Sequence, residues 1–479
     1  MYIMKKKYLY ILTFCWLSIF TFSCIKQIDL SVKDGQYPIQ FSYTYPYNYE
    51  TKNTVAEIIV YTHSKINKNA IRAEIPHLKY NKSWLFMLTQ DDCKQAAYSS
   101  TWAAINGKPL SRSYYYHAPH LAGKDLPPDS YFLGKTLGST DGTGNEIRFA
   151  FTTTLSPEWN WMNEKTSVKP GYKKEFYRFY MKKGLTWTDV KEMTNYGVGI
   201  AFHNLAVNNE KNAEILLRQY PNAQDSILKY LNGRGCKTLA EPDGNKAYVT
   251  AALEYPPIQT MVAQAGTVKL YPFKVTDDLH NVLIERWFND SPNYFKPLIE
   301  EQLQKPKEER MAIYIGVHGT DSGWVNFLLW LNDNYGKDGD DSMWFPSQEE
   351  YYEYNYYRTH GAAPQVEVID ETTLKLTVDL PSGQYFYYPS VTINLTGLKK
   401  QDIVSIETDN AVSGLSYADF EDKLMLNIDC RKYLTEHATH FVEQYENDKS
   451  NASNKADALY FVNMLKDSQK KTELLNRIK

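Results

Sequence analysis

The chain has 479 residues, enough for two or three domains. Hydrophobic residues make up 43% and charged residues 23%, an ordinary globular composition. The net charge of −3 is spread without long blocks, which argues against a nucleic-acid binder, since those show a basic face or stripe. The aromatic content stands out, with 39 Tyr, 20 Phe and 10 Trp. Flat apolar faces with polar tips suit sugar rings, and they equally suit a tyrosine-rich core.

In chain order, Lys5, Lys6 and Lys7 precede an apolar run from about Tyr8 to Phe22. A charged stretch followed by an apolar one too short to span a bilayer reads as an export signal. The run closes in "IFTFSC", with Ser23 before Cys24, and resembles the lipobox of a bacterial lipoprotein. This makes 1–24 a signal peptide and Cys24 the lipid anchor. The expected location is the cell envelope, lipid-anchored to the outer membrane or cell surface of a Gram-negative bacterium. Leaving out Cys15 and Cys24, the chain has Cys93, Cys236 and Cys430, in no zinc-binding spacing and best read as buried small hydrophobes.

A tether and strand-rich lead-in occupies 25–79, with strands expected in "VAEIIVYTH" and "AIRAEIP". From 80 to 362 strands alternate with helical patterns. Expected strands are "SWLFMLTQ", "NEIRFAFTTT", "VGIAFHN", "KAYVTAA", "TVKLYPF" and "MAIYIGVHG". Expected helices are "CKQAAYSSTWAAING", "TWTDVKEMTNYG", a region around "NAEILLRQYPNAQDSILKYLNGRG" interrupted at Pro221, "SGWVNFLLWLNDNYG" and "SQEEYYEYNYYRTHG". The alternation predicts an α/β unit with a mostly parallel sheet or barrel. Functional residues in such folds sit at the C-terminal ends of strands. Three strands end in Asp91-Asp92, in His203-Asn204 and in His318-Gly319, so two carboxylates and two histidines are expected on one rim. The pair Asp91-Asp92 has a competing reading as the N-cap of the helix that follows. From 363 to 430 short alternating strands predict an antiparallel β-sandwich. The tail, 431–479, reads as helical and charged.

The order strand–Asp-Asp, strand–His, late strand–His resembles the polysaccharide deacetylase family, the fourth family of carbohydrate esterases. That family implies a distorted (β/α) barrel. Its first motif, Thr-Phe-Asp-Asp-Gly, is matched by Thr89-Gln90-Asp91-Asp92-Cys93. The resemblance makes Asp91 the catalytic base and Asp92 a ligand of a divalent metal, expected to be zinc, which activates water. The second motif, His-Ser/Thr-x-x-His, gives His203 as a second metal ligand, while its other histidine position holds Val207. The third motif, Arg-x-Pro-Tyr-Gly, is loosely matched by Glu241-Pro242-Asp243-Gly244-Asn245 and lacks the arginine that orients the base. The last, Leu-x-His, gives His318 as the acid for the leaving group. Trp344 and Tyr354 in "MWFPSQEEYYEYNYYR", together with Pro242, are implied beside the substrate. His117 and His120 offer replacement ligands or a solvated loop. The expected partner is an acetylated polysaccharide or oligosaccharide, with metal-dependent removal of acetyl groups. The alternative is a catalytically inactive glycan-binding surface lipoprotein on the same fold.

Overall fold

Strand β1, Trp84–Gln90, is buried along its whole length. An apolar run without polar alternation is what a strand covered on both faces requires. Trp84, Phe86 and Leu88 enter one hydrophobic cluster, and Leu85 and Met87 enter another, as the two-residue period dictates. The computed structural model of the chain describes residues 43–47, 52–174, 176–180, 184–206, 210–361 and 363–479. The expected signal peptide, with Cys15 and Cys24, and Val207 lie outside the described residues.

Seven strands join β1 in the main path of one parallel sheet: β2 Thr152–Leu155, β3 Gly199–Phe202, β4 Thr238–Ala240, β5 Thr260–Ala263, β6 Leu283–Glu285, β7 Trp287–Phe288 and β8 Ile313–Val317; the short strand Met343–Trp344 pairs with the start of β1 off this path. Their spatial order is β6-β5-β4-β3-β2-β1-β8-β7. The two edges, β6 and β7, are separated in sequence by one residue, Arg286. The chain leaves one edge and enters the other at that residue, and its N–H donates to Ala263 O at 2.9 Å. The sheet is therefore nearly closed and barrel-like.

The helix Gln348–His360 covers the floor of this barrel. Its Ser347 hydroxyl caps the N-terminus by accepting from Glu350 N. Gln348 donates through its backbone to the Thr152 hydroxyl and through its side chain to the Thr260 hydroxyl, both at 3.0 Å. Those threonines open β2 and β5, so the helix start sits at the N-terminal strand ends.

Several expectations within the barrel need correction. "KAYVTAA" is the helix Lys246–Leu253, started by the Asn245 side chain accepting from Ala247 N. The cap and the alanines override the β preference of Tyr248, Val249 and Thr250. "TVKLYPF" holds only an isolated bridge, Val268 to Ile284, and a 3-10 turn at Pro272–Lys274. Pro221 does not interrupt its helix, which runs Ala213–Tyr230. Pro221 is exposed, on the solvent side of this helix. Helix Ser322–Tyr335 forms as expected, capped by Asp321, whose carboxylate accepts from Gly323 N and Trp324 N.

Two antiparallel four-stranded sheets form the second unit. One has the order Gln365–Val368, Thr373–Leu380, Thr54–Thr62, Ile403–Thr408; the other Gly414–Phe420, Lys423–Asp429, Ser390–Thr396, Arg72–Glu74. Thr373–Leu380 alternates buried and half-buried residues throughout, as its sequence predicts. Both lead-in strands belong to these sheets, and Thr54–Thr62 lies inside one of them. The tail forms helices Leu434–Asn447, Ala452–Asn463 and Gln469–Ile478. Cys93, Cys236 and Cys430 are free and buried. No helix among the described residues is long and apolar enough to cross a membrane.

Candidate functional site

Beyond Gln90 the chain turns sharply. Asp92 and Cys93 both have left-handed backbones, φ 61° and 50°. Neither is glycine, and such residues persist only where their surroundings hold them. Cys93 N donates to the Thr154 hydroxyl at 3.1 Å, and Cys93 O accepts from Leu185 N at 2.8 Å. The latter contact depends on Gly184, where a Cβ would stand 2.0 Å from Cys93 O. The carboxylates do not cap the following helix: it starts at Ala97, as a π-helical turn Ala97–Trp102 without a side-chain cap.

Asp91 is buried and faces Arg286. Its Oδ1 accepts from Nη1 at 2.9 Å and its Oδ2 from Nη2 at 2.5 Å. This fork-to-fork contact fixes the orientation of the carboxylate. The arginine missing from "EPDGN" thus arrives from the β6–β7 junction. Gly316 on β8 leaves room for it, since a Cβ there would stand 2.9 Å from the guanidinium carbon.

Asp92 is partly exposed. Its Oδ1 lies 3.5 Å from His203 Nε2 and its Oδ2 3.2 Å from Lys94 Nζ. The hydrogen bond from His203, aided by Lys94 and opposed by partial desolvation, holds the Asp92 carboxyl well below the usual carboxylate range. His203 Nδ1 donates to Ala240 O at 2.8 Å, which points Nε2 at Asp92. Burial opposes protonation of His203, but Asp91 and Asp92 outweigh it and raise its pKa. His318 follows β8, next to Asp91, whose N–H donates to Val317 O at 2.8 Å. Its Nδ1 pairs with Asp290 Oδ2 at 3.1 Å, and the pair is exposed. Asp290 also feels the charge of Asp92. Asp91, Asp92, His203 and His318 therefore gather at the C-terminal strand ends.

Beside them opens a cleft of about 1170 Å³, lined by Asp92, Lys94, Trp159, Trp161, Lys211 and Pro242 among others. Trp159 is 37% exposed, so a ring face is available to a ligand. Glu241, the first residue after β4, is buried and bonded to Lys246 at 2.9 Å. Pro242 lies on the cleft wall; Trp344 and Tyr354 do not. Both are buried at the opposite end of the barrel, where Trp344 pairs with Leu85 at the start of β1 and Tyr354 donates to Pro76 O. His117 and His120 are likewise buried and do not form a solvated loop. They cap the short helix Ala118–Ala122, and His117 Nδ1 contacts Asp189 Oδ2 at 2.6 Å.

A hydrolytic zinc keeps three protein ligands and an open position. Asp92 and His203 supply two, and the second oxygen of Asp92 faces an ammonium. No group of three or more His, Cys, Asp or Glu side chains placed to hold a metal ion occurs among the described residues. This donor set does not fit a catalytic zinc.

Sequence reasoning missed Arg286, Lys94, Trp159 and Trp161. A single arginine inside the apolar run "VLIERWF" was the available signal for the first. A family model described as "Putative polysaccharide deacetylase" matches residues 56–479, which takes in the barrel, the sandwich from its central strand onward and the helical tail. No curated protein matches the chain significantly.

Proposed function

Because the chain belongs to this family of polysaccharide deacetylases, we propose that it binds an acetylated polysaccharide in the cleft beside Asp92 and removes acetyl groups there. The observation that supports this most is the meeting of Asp91, Asp92, His203 and His318 at one rim of the barrel, next to an open cleft with exposed tryptophan. In the reaction a water oxygen bonds to the acetyl carbon, and the bond from that carbon to the sugar nitrogen or oxygen breaks. Asp91, oriented by Arg286, takes the proton of the attacking water. His318, oriented by Asp290, returns a proton to the leaving group, so acetate and a free amine or hydroxyl result. His203 presents its Nε2 proton to Asp92 and keeps that carboxylate fixed at the cleft edge.

The donor set favours a second reading, glycan binding without hydrolysis, because both oxygens of Asp91 and both of Asp92 already face cations. Acetate release from acetylated chitooligosaccharides, acetylated xylan and peptidoglycan fragments decides between the two. Hydrolysis that disappears in Asp91→Asn and His318→Ala supports the first. Retained binding with no acetate from any substrate, with or without added zinc, cobalt or nickel, supports the second. Membrane anchoring through acylated Cys24 is part of the proposal, and Cys24→Ser is expected to leave the protein unattached.

A further inference from the structure

A second cavity, of about 800 Å³, lies on the outer wall of the barrel and shares no lining residue with the Asp92 cleft. Its walls come from the π-helical turn Ala97–Trp102, the helix Trp187–Asn195 and the C-terminal helices Leu434–Asn447 and Ala452–Asn463. Single π-helical turns carry a backbone cost and are enriched at functional sites.

Two polar groups in this cavity lack partners among the described residues. Tyr98 is fully buried, and its hydroxyl makes no hydrogen bond. An orphaned buried hydroxyl costs free energy unless something fills its place. Glu192, half-buried on the neighbouring helix, forms no hydrogen bond or ion pair and exerts the strongest charge effect on Tyr98. The cations of the cavity are already matched, Lys108 with Asp457 at 2.5 Å and Lys124 with Asp448 at 2.9 Å. An anionic ligand would therefore find no free cation, and a cationic one would meet two lysines. At the open side Phe132 is 59% exposed, and Tyr43 stacks on His440 at 3.7 Å. Asn454 sets a carboxamide beside them.

From this arrangement we propose that the outer cavity is a second carbohydrate site, binding a neutral glycosyl unit whose adjacent hydroxyls bridge Tyr98 and Glu192. A hydroxyl both donates and accepts. One sugar hydroxyl donates to the Glu192 carboxyl, its neighbour accepts from the Tyr98 hydroxyl, and an apolar ring face lies on Phe132. Desolvation pushes the Glu192 carboxyl up to about 7, which fits a neutral partner. The ligand class comes from the lining; only the choice of probes rests on the polysaccharide reading of the cleft.

The test uses the full chain with chitotetraose, xylotetraose and cellotetraose as probes. Hydrogen–deuterium exchange is expected to show protection in 97–102, 187–196 and 434–454 with at least one probe. Tyr98→Phe, which removes only an unpartnered hydroxyl and so keeps the fold, is expected to weaken that binding about tenfold, the worth of one net hydrogen bond. Glu192→Gln keeps the shape and is expected to weaken it similarly. Trp159→Ala in the cleft is expected to leave protection at the outer cavity intact. No protection in these segments with any probe, or unchanged affinity in both variants, overturns the proposal. If outer protection persists while no acetate is released, only the hydrolytic reading of the cleft fails.

Discussion

Arg286 and Asp91 meet at two points, 2.9 Å and 2.5 Å, and both side chains are buried. A buried charge that loses its partner is left uncompensated, at a cost of about 3–5 kcal/mol. Arg286→Met is therefore expected to lower stability by about that amount. Arg286→Met combined with Asp91→Leu is expected to recover most of it. Urea unfolding of the single and double variants measures the coupling, and simple additivity would show that the two residues do not act as a pair.

Gly316 tests the same pair sterically. A Cβ at this position would approach a ring carbon of Phe288 to 2.6 Å and the Arg286 guanidinium to 2.9 Å. Gly316→Ala is expected to cost about 1–3 kcal/mol, the range for overpacking a tight interior. Gly319, three residues on, has open space around its Cβ position. Gly319→Ala is the control and is expected to be neutral in thermal unfolding.

Glu192 gives a pH dependence of stability. Desolvation, reinforced by Asp457 and Asp189 and opposed by Lys108, lifts its carboxyl from 4.5 to about 7. Between those values the folded state binds more protons than the unfolded state, so stability falls as pH rises. The stabilisation is complete below pH 4.5 and gone above about 7. Glu192→Gln is expected to remove this slope. Melting temperatures at pH 5 and pH 8 check it: a wild-type difference that survives the substitution assigns the slope to other groups.

Trp159 carries the cleft prediction. Its partly exposed ring makes Trp159→Ala nearly neutral for folding. Oligosaccharide affinity in the cleft is expected to fall roughly tenfold, or about 1.4 kcal/mol of lost ring contact. Calorimetric titration of a variant defective in the outer cavity, Tyr98→Phe, isolates this term.

The barrel was legible where strands are long and apolar. Trp84–Gln90 and Ile313–Val317 announce themselves by composition, and their ends name Asp91 and His318. The short strands Thr238–Ala240 and Thr260–Ala263 carry too few residues for a period to show. Lys246–Leu253 misled because β-branched residues sit in a helix that its cap and its alanines dictate. The partner of Asp91 was invisible for a different reason. Arg286 lies 195 positions away, and only closure of the sheet brings it near. Trp344 and Tyr354 were misplaced because their neighbourhood in sequence says nothing about which end of the barrel they face.

The strand Thr54–Thr62 has a consequence for how the chain is made. It is a central strand of its sheet, yet its partners are synthesised far later; Glu57 and Lys375, joined by an ion pair at 2.6 Å, stand 318 positions apart. Domains usually fold as they emerge from the ribosome. Here the strand Thr54–Thr62 has its two neighbours, Thr373–Leu380 and Ile403–Thr408, on the far side of the whole barrel in sequence. The sandwich closes around the barrel like a clasp, and truncation between the end of the barrel and residue 373 leaves Thr54–Thr62 without either neighbour.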